Sequence, residues 1–181
     1  MIEKNIYSFK YKKINNFLNE SEIELLKNYT IIKHRLGIGK LDDAQSDDFS
    51  FYGDPLMESI LLKKKEKMQE LTGLELLPTY SYYRMYTYLA DLKKHTDRPS
   101  CEISVSVNIT SSGEDWPIYM NGNAISLNAG DAVIYLGQEV EHWREEFDGD
   151  HCAQVFLHYV NKNGKHAEWI KDKRTLWGQQ K

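Results

Sequence analysis

The sequence predicts a mainly β protein: a double-sheet jelly roll (double-stranded β-helix) with flanking helices packed outside it. Three observations carry this. Beyond residue 74, short segments of period-two alternation are separated by frequent turns. Tyrosine, which suits pleated surfaces, occurs 12 times and supplies more than half of the aromatic residues. Helical periodicity is confined to the first 73 residues. At 181 residues the chain is long enough for one domain with a real core. We expect helical support over about 1–73, a jelly-roll core over about 74–160 and a C-terminal arm over 161–181.

The elements follow in order. Residues 1–18 mix Tyr, Phe, Ile and Lys and read as an irregular or strand-like opening. Ser21-Glu22-Ile23-Glu24 resembles a capping box, with a hydroxyl at the N-cap and a carboxylate three residues on, and predicts a short helix over about 21–29. Thr30 to Arg35 reads as a strand. Gly37 to Gly53 is polar and acidic and reads as a surface loop, long enough to serve as a substrate lid. Asp54-Pro55 starts a second helix, an N-cap acid followed by Pro at the first position. Met57, Ile60, Leu61, Met68 and Leu71 keep its period, with Lys63-Lys64-Lys65 mainly on the wet side, and Gly73 ends it.

Pro78 to Tyr88 is a Tyr-rich strand that places Tyr82, Arg84, Tyr86 and Tyr88 on one face. A bend at Ala90-Asp91 leads into a strand bearing His95 and Asp97. Ile103 to Ile109 alternates as a half-buried strand. Short strands over 116–120 and 124–127 flank Asn121-Gly122, a hairpin-type turn. The turn Ala129-Gly130-Asp131 feeds an apolar strand over 132–136. His142 falls near the next strand, and Cys152 to Val160 forms the last. The tail from Asn161 is a helix or arm docked on the barrel.

Charge and composition narrow the function. A formal net charge of -4 gives no general attraction to nucleic acid or to anionic membranes. No apolar run is long enough to span a bilayer, and the first residues lack the apolar region of a secretory signal. These features suggest a cytoplasmic location, with Cys101 and Cys152 reduced.

One stretch carries chemistry. In His95-Thr96-Asp97 the two polar side chains are two apart, so an extended strand projects both from one face. Glu141-His142-Trp143-Arg144 follows a Gly-Asp turn and an apolar strand. Two histidines and one carboxylate suit a ferrous ion with open coordination positions.

Taken in order, residues 54–160 resemble the iron(II)/2-oxoglutarate-dependent oxygenases, specifically the small prolyl-4-hydroxylase-like branch. The shared series is helix, Tyr-rich strand, His-x-Asp, jelly-roll strands, Gly-Asp turn, distal His and final strand. The resemblance implies that His95, Asp97 and His142 are the catalytic iron(II) ligands and that 2-oxoglutarate is the cosubstrate. It also implies O2 as co-reactant, with ascorbate as an optional auxiliary. The expected reaction hydroxylates a C–H bond of a peptidyl (prolyl-like) or small-molecule substrate and releases succinate and CO2.

The family often clamps the distal carboxylate of 2-oxoglutarate with Arg or Lys nine to twelve residues past the distal His. This chain has His151, Cys152, Ala153 and Gln154 there. The cosubstrate-binding candidates are therefore Arg144, which shares the His142 face, Arg84 and Tyr86 on the Tyr-rich strand, and Gln154 on the last strand. His151 and His158 read as structural. Two other classes stay open: a cupin-like metal enzyme that uses no 2-oxoglutarate, and a non-catalytic jelly-roll binding module.

Overall fold

The structure, a computed structural model, describes residues 5–38, 40–41, 49–113 and 115–179. The N-terminal part runs α1 (Ile6–Phe9), β1 (Tyr11–Ile14), α2 (Glu20–Arg35), β2 (Lys40–Leu41), β3 (Phe49–Tyr52), α3 (Pro55–Lys63) and α4 (Lys65–Thr72). The core follows as β4 (Leu76–Thr87), β5 (Leu92–His95), β6 (Ile103–Ser111), β7 (Ile118–Met120), β8 (Asn123–Ile125), β9 (Ala132–Leu136), β10 (His142–Arg144) and β11 (His151–Asn161). Short 3-10 turns lie at Pro99–Cys101 and Ala167–Lys173. The strands form two antiparallel sheets, in the orders β1-β9-β6-β11-β4-β3-β2 and β5-β10-β7-β8.

The box that starts α2 is one cap earlier: the Asn19 side chain accepts from Glu22 N at 2.9 Å, and Glu22 accepts from Asn19 N at 2.9 Å. Acidic residues in the first turn and basic residues in the last suit the helix dipole. The helix then continues through residues 30–35, which read as a strand. Tertiary anchors override the β-branched propensity of Thr30, Ile31 and Ile32. Tyr83 Oη donates to the Thr30 carbonyl at 3.4 Å, and Lys33 pairs with Asp54 at 2.7 Å.

The single helix expected after Pro55 is two, divided at Lys64. That lysine is buried rather than wet, with its Nζ 2.6 Å from Glu22 Oε2. Gly73 does cap α4, in the left-handed region at φ 69°. Part of the expected loop 37–53 is sheet, because β3 pairs with β4 and β2 with β3. Of the loop 37–53 read as a lid, residues 39 and 42–48 lie outside the described residues. The opening contains the four-residue α1 as well as a strand.

β6 is buried on both faces, not one. Its outer side chains join those of β4 and β11 beneath the helices, and Tyr159 Oη reaches the Leu61 carbonyl at 2.7 Å. Its inner side chains, Ser104 to Thr110, are polar. The register sets Gln154 beside Arg84 and Phe156 beside Tyr82. Cys152, Gln154, Phe156 and His158 on β11 therefore share the inner face with Tyr82, Arg84 and Tyr86 on β4. The polarity that mimics a solvent face belongs to the chamber between the two sheets. Cys101 and Cys152 are free and buried.

The C-terminal segment is held through buried ionic and polar contacts. Arg174 pairs with Glu58, both buried, and donates to the Thr79 carbonyl at 3.2 Å. Asp172 accepts from Tyr52 Oη at 2.6 Å and from Arg98 at 2.9 Å. Among the described residues, no helix is long and apolar enough to cross a membrane.

Candidate metal centre

His95 closes β5, and β10 pairs antiparallel with it, so His142 stands opposite His95 across the ladder. Their ring centroids are 4.3 Å apart. Asp97 lies two residues beyond β5, held where its backbone N–H donates to the Gly137 carbonyl at 2.8 Å. One ligand atom each from His95, Asp97 and His142 lies within 4.8 Å of the others. Asp97 Oδ1 is 3.7 Å from Nε2 of both histidines.

The imidazoles are oriented through their other nitrogen. His95 Nδ1 is 2.6 Å from the Lys93 carbonyl, and His142 Nδ1 is 2.9 Å from the Val140 carbonyl. A carbonyl only accepts, so each ring carries a proton on Nδ1 and leaves Nε2 facing Asp97. Burial, opposed by the bond to the Val140 carbonyl and aided by the nearby Arg144 charge, lowers the His142 pKa to about 4 and favours the neutral ring, the form that ligates. Burial pushes the Asp97 carboxyl up, opposed by His158, His95 and the hydroxyls of Ser104 and Tyr135. A divalent cation at this carboxylate would favour the ionised form.

Two aimed imidazole lone pairs and one carboxylate fit a mixed N/O site for iron(II). A cavity of about 190 Å³ opens beside them, lined by β4, β5, β9, β10 and β11, with Arg84 and Tyr86 on its wall.

The four candidates for cosubstrate binding fall into two groups. Arg84 and Tyr86 line the same cavity as His95, Asp97 and His142, with the Arg84 guanidinium 4.8 Å from the Tyr86 ring. Arg144 and Gln154 line a second cavity of about 640 Å³, together with Asn108, Trp116 and Cys152. Arg144 is buried and stacks 4.5 Å from the Trp116 ring. Its Nη1 donates to the Trp116 carbonyl, while Nε and Nη2 have no partner among the described residues. Gln154 donates to Asn108 at 3.0 Å and to the Cys152 thiol at 3.1 Å, and its Oε1 has no partner among them.

Four residues around Asp97 were given no part in the site by the sequence. Ser104 Oγ is 3.1 Å from Asp97 Oδ2 and 2.8 Å from His158 Nδ1. His158, expected to be structural, lines the cavity, and burial lowers its pKa to about 4. Tyr135 packs 4.8 Å from the His142 ring. Burial raises the Cys101 thiol to about 12. Ser104, Tyr135 and His158 lie on three different strands and Cys101 in a 3-10 turn, and only the alternation of polar residues on β6 hinted at them.

In sequence, no family profile and no curated protein matches the chain. Solved structures do. A prolyl-4-hydroxylase from Pseudomonas putida superposes with a TM-score of 0.68 at 14% identity, covering 86% of this chain and 95% of that one. The viral collagen prolyl hydroxylase vCPH from Paramecium Bursaria Chlorella virus-1, as its 2-oxoglutarate complex, gives 0.64 at 14% identity, over 83% and 94%. HygX from Streptomyces hygroscopicus, with nickel and 2-oxoglutarate bound, gives 0.67 at 11% identity, over 90% and 88%. The chain has the jelly-roll fold of the iron(II)/2-oxoglutarate oxygenases. Among the solved structures similar to it are prolyl-4-hydroxylases.

Proposed function

We propose that the chain is an iron(II)- and 2-oxoglutarate-dependent oxygenase that hydroxylates a C–H bond, with His95, Asp97 and His142 holding the iron. The observation that carries this reading is the convergence of two aimed Nε2 lone pairs and Asp97 Oδ1 beside a cavity in an oxygenase fold. Iron bound there would couple decarboxylation of 2-oxoglutarate to activation of O2. The chain's own residues orient the cosubstrate and keep water from the reacting centre.

Arg144 is the leading partner for the distal carboxylate. Nε and Nη2 lie on one edge of the guanidinium, and that edge carries two buried donors without a partner among the described residues. This is the geometry that grips a carboxylate bidentately. Cys152 and Gln154 occupy the stretch of the last strand where such a clamp would otherwise originate. Arg144, reaching in from β10, supplies the charge in its place. Gln154 lines the same cavity as Arg144, while Arg84 and Tyr86 line the cavity of the candidate metal ligands and are the rival partners.

HygX has also been solved with hygromycin B bound, and other neighbours are prolyl hydroxylases. For this chain, a cavity of about 190 Å³ favours a substrate that presents one side chain or ring at the mouth, such as a peptidyl prolyl-like group. The test is succinate formation from 2-oxoglutarate in air with iron(II). The wild-type chain should form succinate, with or without a primary substrate, and His142→Ala should not. Equal background in both would sink the proposal.

A further inference from the structure

We propose that Ser104 and His158 form a positioning relay that holds the outer oxygen of Asp97, so that Asp97 offers the metal a single oxygen, Oδ1. The inference rests on the oxygenase reading and deepens it: a facial site works only if its carboxylate leaves positions open for cosubstrate and O2.

The geometry runs through two buried side chains, Ser104 and His158, and the partly buried carboxylate of Asp97. Asp97 Oδ1 is equidistant from the two ligating nitrogens, 3.7 Å from each. The other oxygen, Oδ2, turns away toward Ser104 Oγ at 3.1 Å. The Ser104 hydroxyl has one proton and two acceptors at 3.1 Å, Asp97 Oδ2 and the Cys101 carbonyl. A bond to an ionised carboxylate is the stronger, so the proton goes to Asp97. The serine oxygen is then left to accept, and the group facing it at 2.8 Å is His158 Nδ1. His158 is held there by its place on β11 and by the Tyr80 ring, whose centroid is 4.5 Å away. The order is His158 Nδ1–H to Ser104 Oγ–H to Asp97 Oδ2. Turning Asp97 to present both oxygens would break the charge-assisted bond from Ser104 and leave its hydroxyl only the weaker, neutral Cys101 carbonyl as acceptor.

The experiment measures manganese(II) affinity by electron paramagnetic resonance on the apoprotein, and the visible spectrum after cobalt(II) loading. Thermal melting of the apo variants separates folding from metal binding. Ser104→Ala and His158→Phe should bind manganese roughly 10- to 100-fold more weakly than wild type, the range typical of lost support behind a metal ligand. Their cobalt bands should change in intensity. Ser104→Thr keeps the hydroxyl and His158→Asn keeps an N–H donor, and both should retain most of the affinity. Wild-type affinity and an unchanged cobalt spectrum in Ser104→Ala and His158→Phe would overturn the relay while leaving the oxygenase reading intact. Should His158→Phe fail to fold, the Ser104→Ala and Ser104→Thr pair decides alone, because equal affinity in those two overturns the proposal. Failure of the parent reading looks different: wild-type protein would bind no manganese that His95→Ala abolishes.

Discussion

Gly137 and Asp97 are packed so closely that a Cβ atom on Gly137 would lie 2.6 Å from Asp97 Oδ2, and would also strike the Cys101 carbonyl oxygen. The same glycine accepts the Asp97 backbone N–H at 2.8 Å. The turn after β9 is thus a template for the carboxylate, and glycine is needed there for close approach. Gly137→Ala should destabilise the fold by about 2 kcal/mol, a typical overpacking cost, and weaken metal binding at least tenfold. Urea denaturation and metal titration check both, and unchanged metal affinity would refute the templating role.

Arg144→Gln should weaken 2-oxoglutarate binding by roughly 10- to 100-fold, as expected for losing a charge-assisted pair of about 1.5–3 kcal/mol. Metal affinity should be unchanged. Titration of the metal-loaded protein with 2-oxoglutarate, followed by tryptophan fluorescence, reads the effect, since Trp116 stacks on this guanidinium. A larger loss in Arg84→Gln than in Arg144→Gln would transfer the clamp to β4.

The convergence of His95, Asp97 and His142 was legible in the sequence because strand order carries it: a His-x-Asp pair leaving one strand, and a histidine on the strand that returns beside it. The supports were not. Ser104 and His158 are 54 residues apart and meet only through the pairing of β6 with β11. Each reads alone as an ordinary polar residue on an alternating strand. Arg144 and Arg84 could not be ranked either, since only folding places Arg84 on the cavity of the candidate metal ligands and Arg144 on a second cavity. Residues 30–35 misled because local β-branched propensity lost to the Asp54–Lys33 and Tyr83–Thr30 anchors. The cap of α2 was misplaced by two residues because Asn19 and Ser21 are both good caps and Glu22 selects Asn19.

Burial pushes the Glu22 carboxyl up, but Lys64, the Asn19 backbone and Lys63 outweigh it and hold the pKa at about 2, below its ordinary 4.5. A depressed carboxylate stabilises the fold above its unfolded pKa, and that contribution is lost as pH falls through the folded one. Glu22→Gln should therefore cost about 2 kcal/mol at pH 7. The gap from wild type should narrow as pH drops from about 4.5 toward 2. Urea midpoints across that range test this, and a gap independent of pH would contradict it.

The C-terminal arm is pinned by a buried ion pair, Arg174 with Glu58, and the same carboxylate accepts the Gly178 N–H. Removing one partner strands the other charge, so Arg174→Ala should cost about 3 kcal/mol. Combining it with Glu58→Gln should cost less than the sum of the two. Denaturant unfolding of the two single variants and the double variant measures the coupling, and strict additivity would show that the pair does not act as one.

The central claim, that His95, Asp97 and His142 hold an iron(II) that also takes 2-oxoglutarate, is tested most directly by the anaerobic visible spectrum. Iron(II) and 2-oxoglutarate added together to the wild-type chain should give a weak charge-transfer band that neither gives alone, and the band should be absent in His95→Ala. No band in the wild-type chain, or the same band in His95→Ala, would contradict the account.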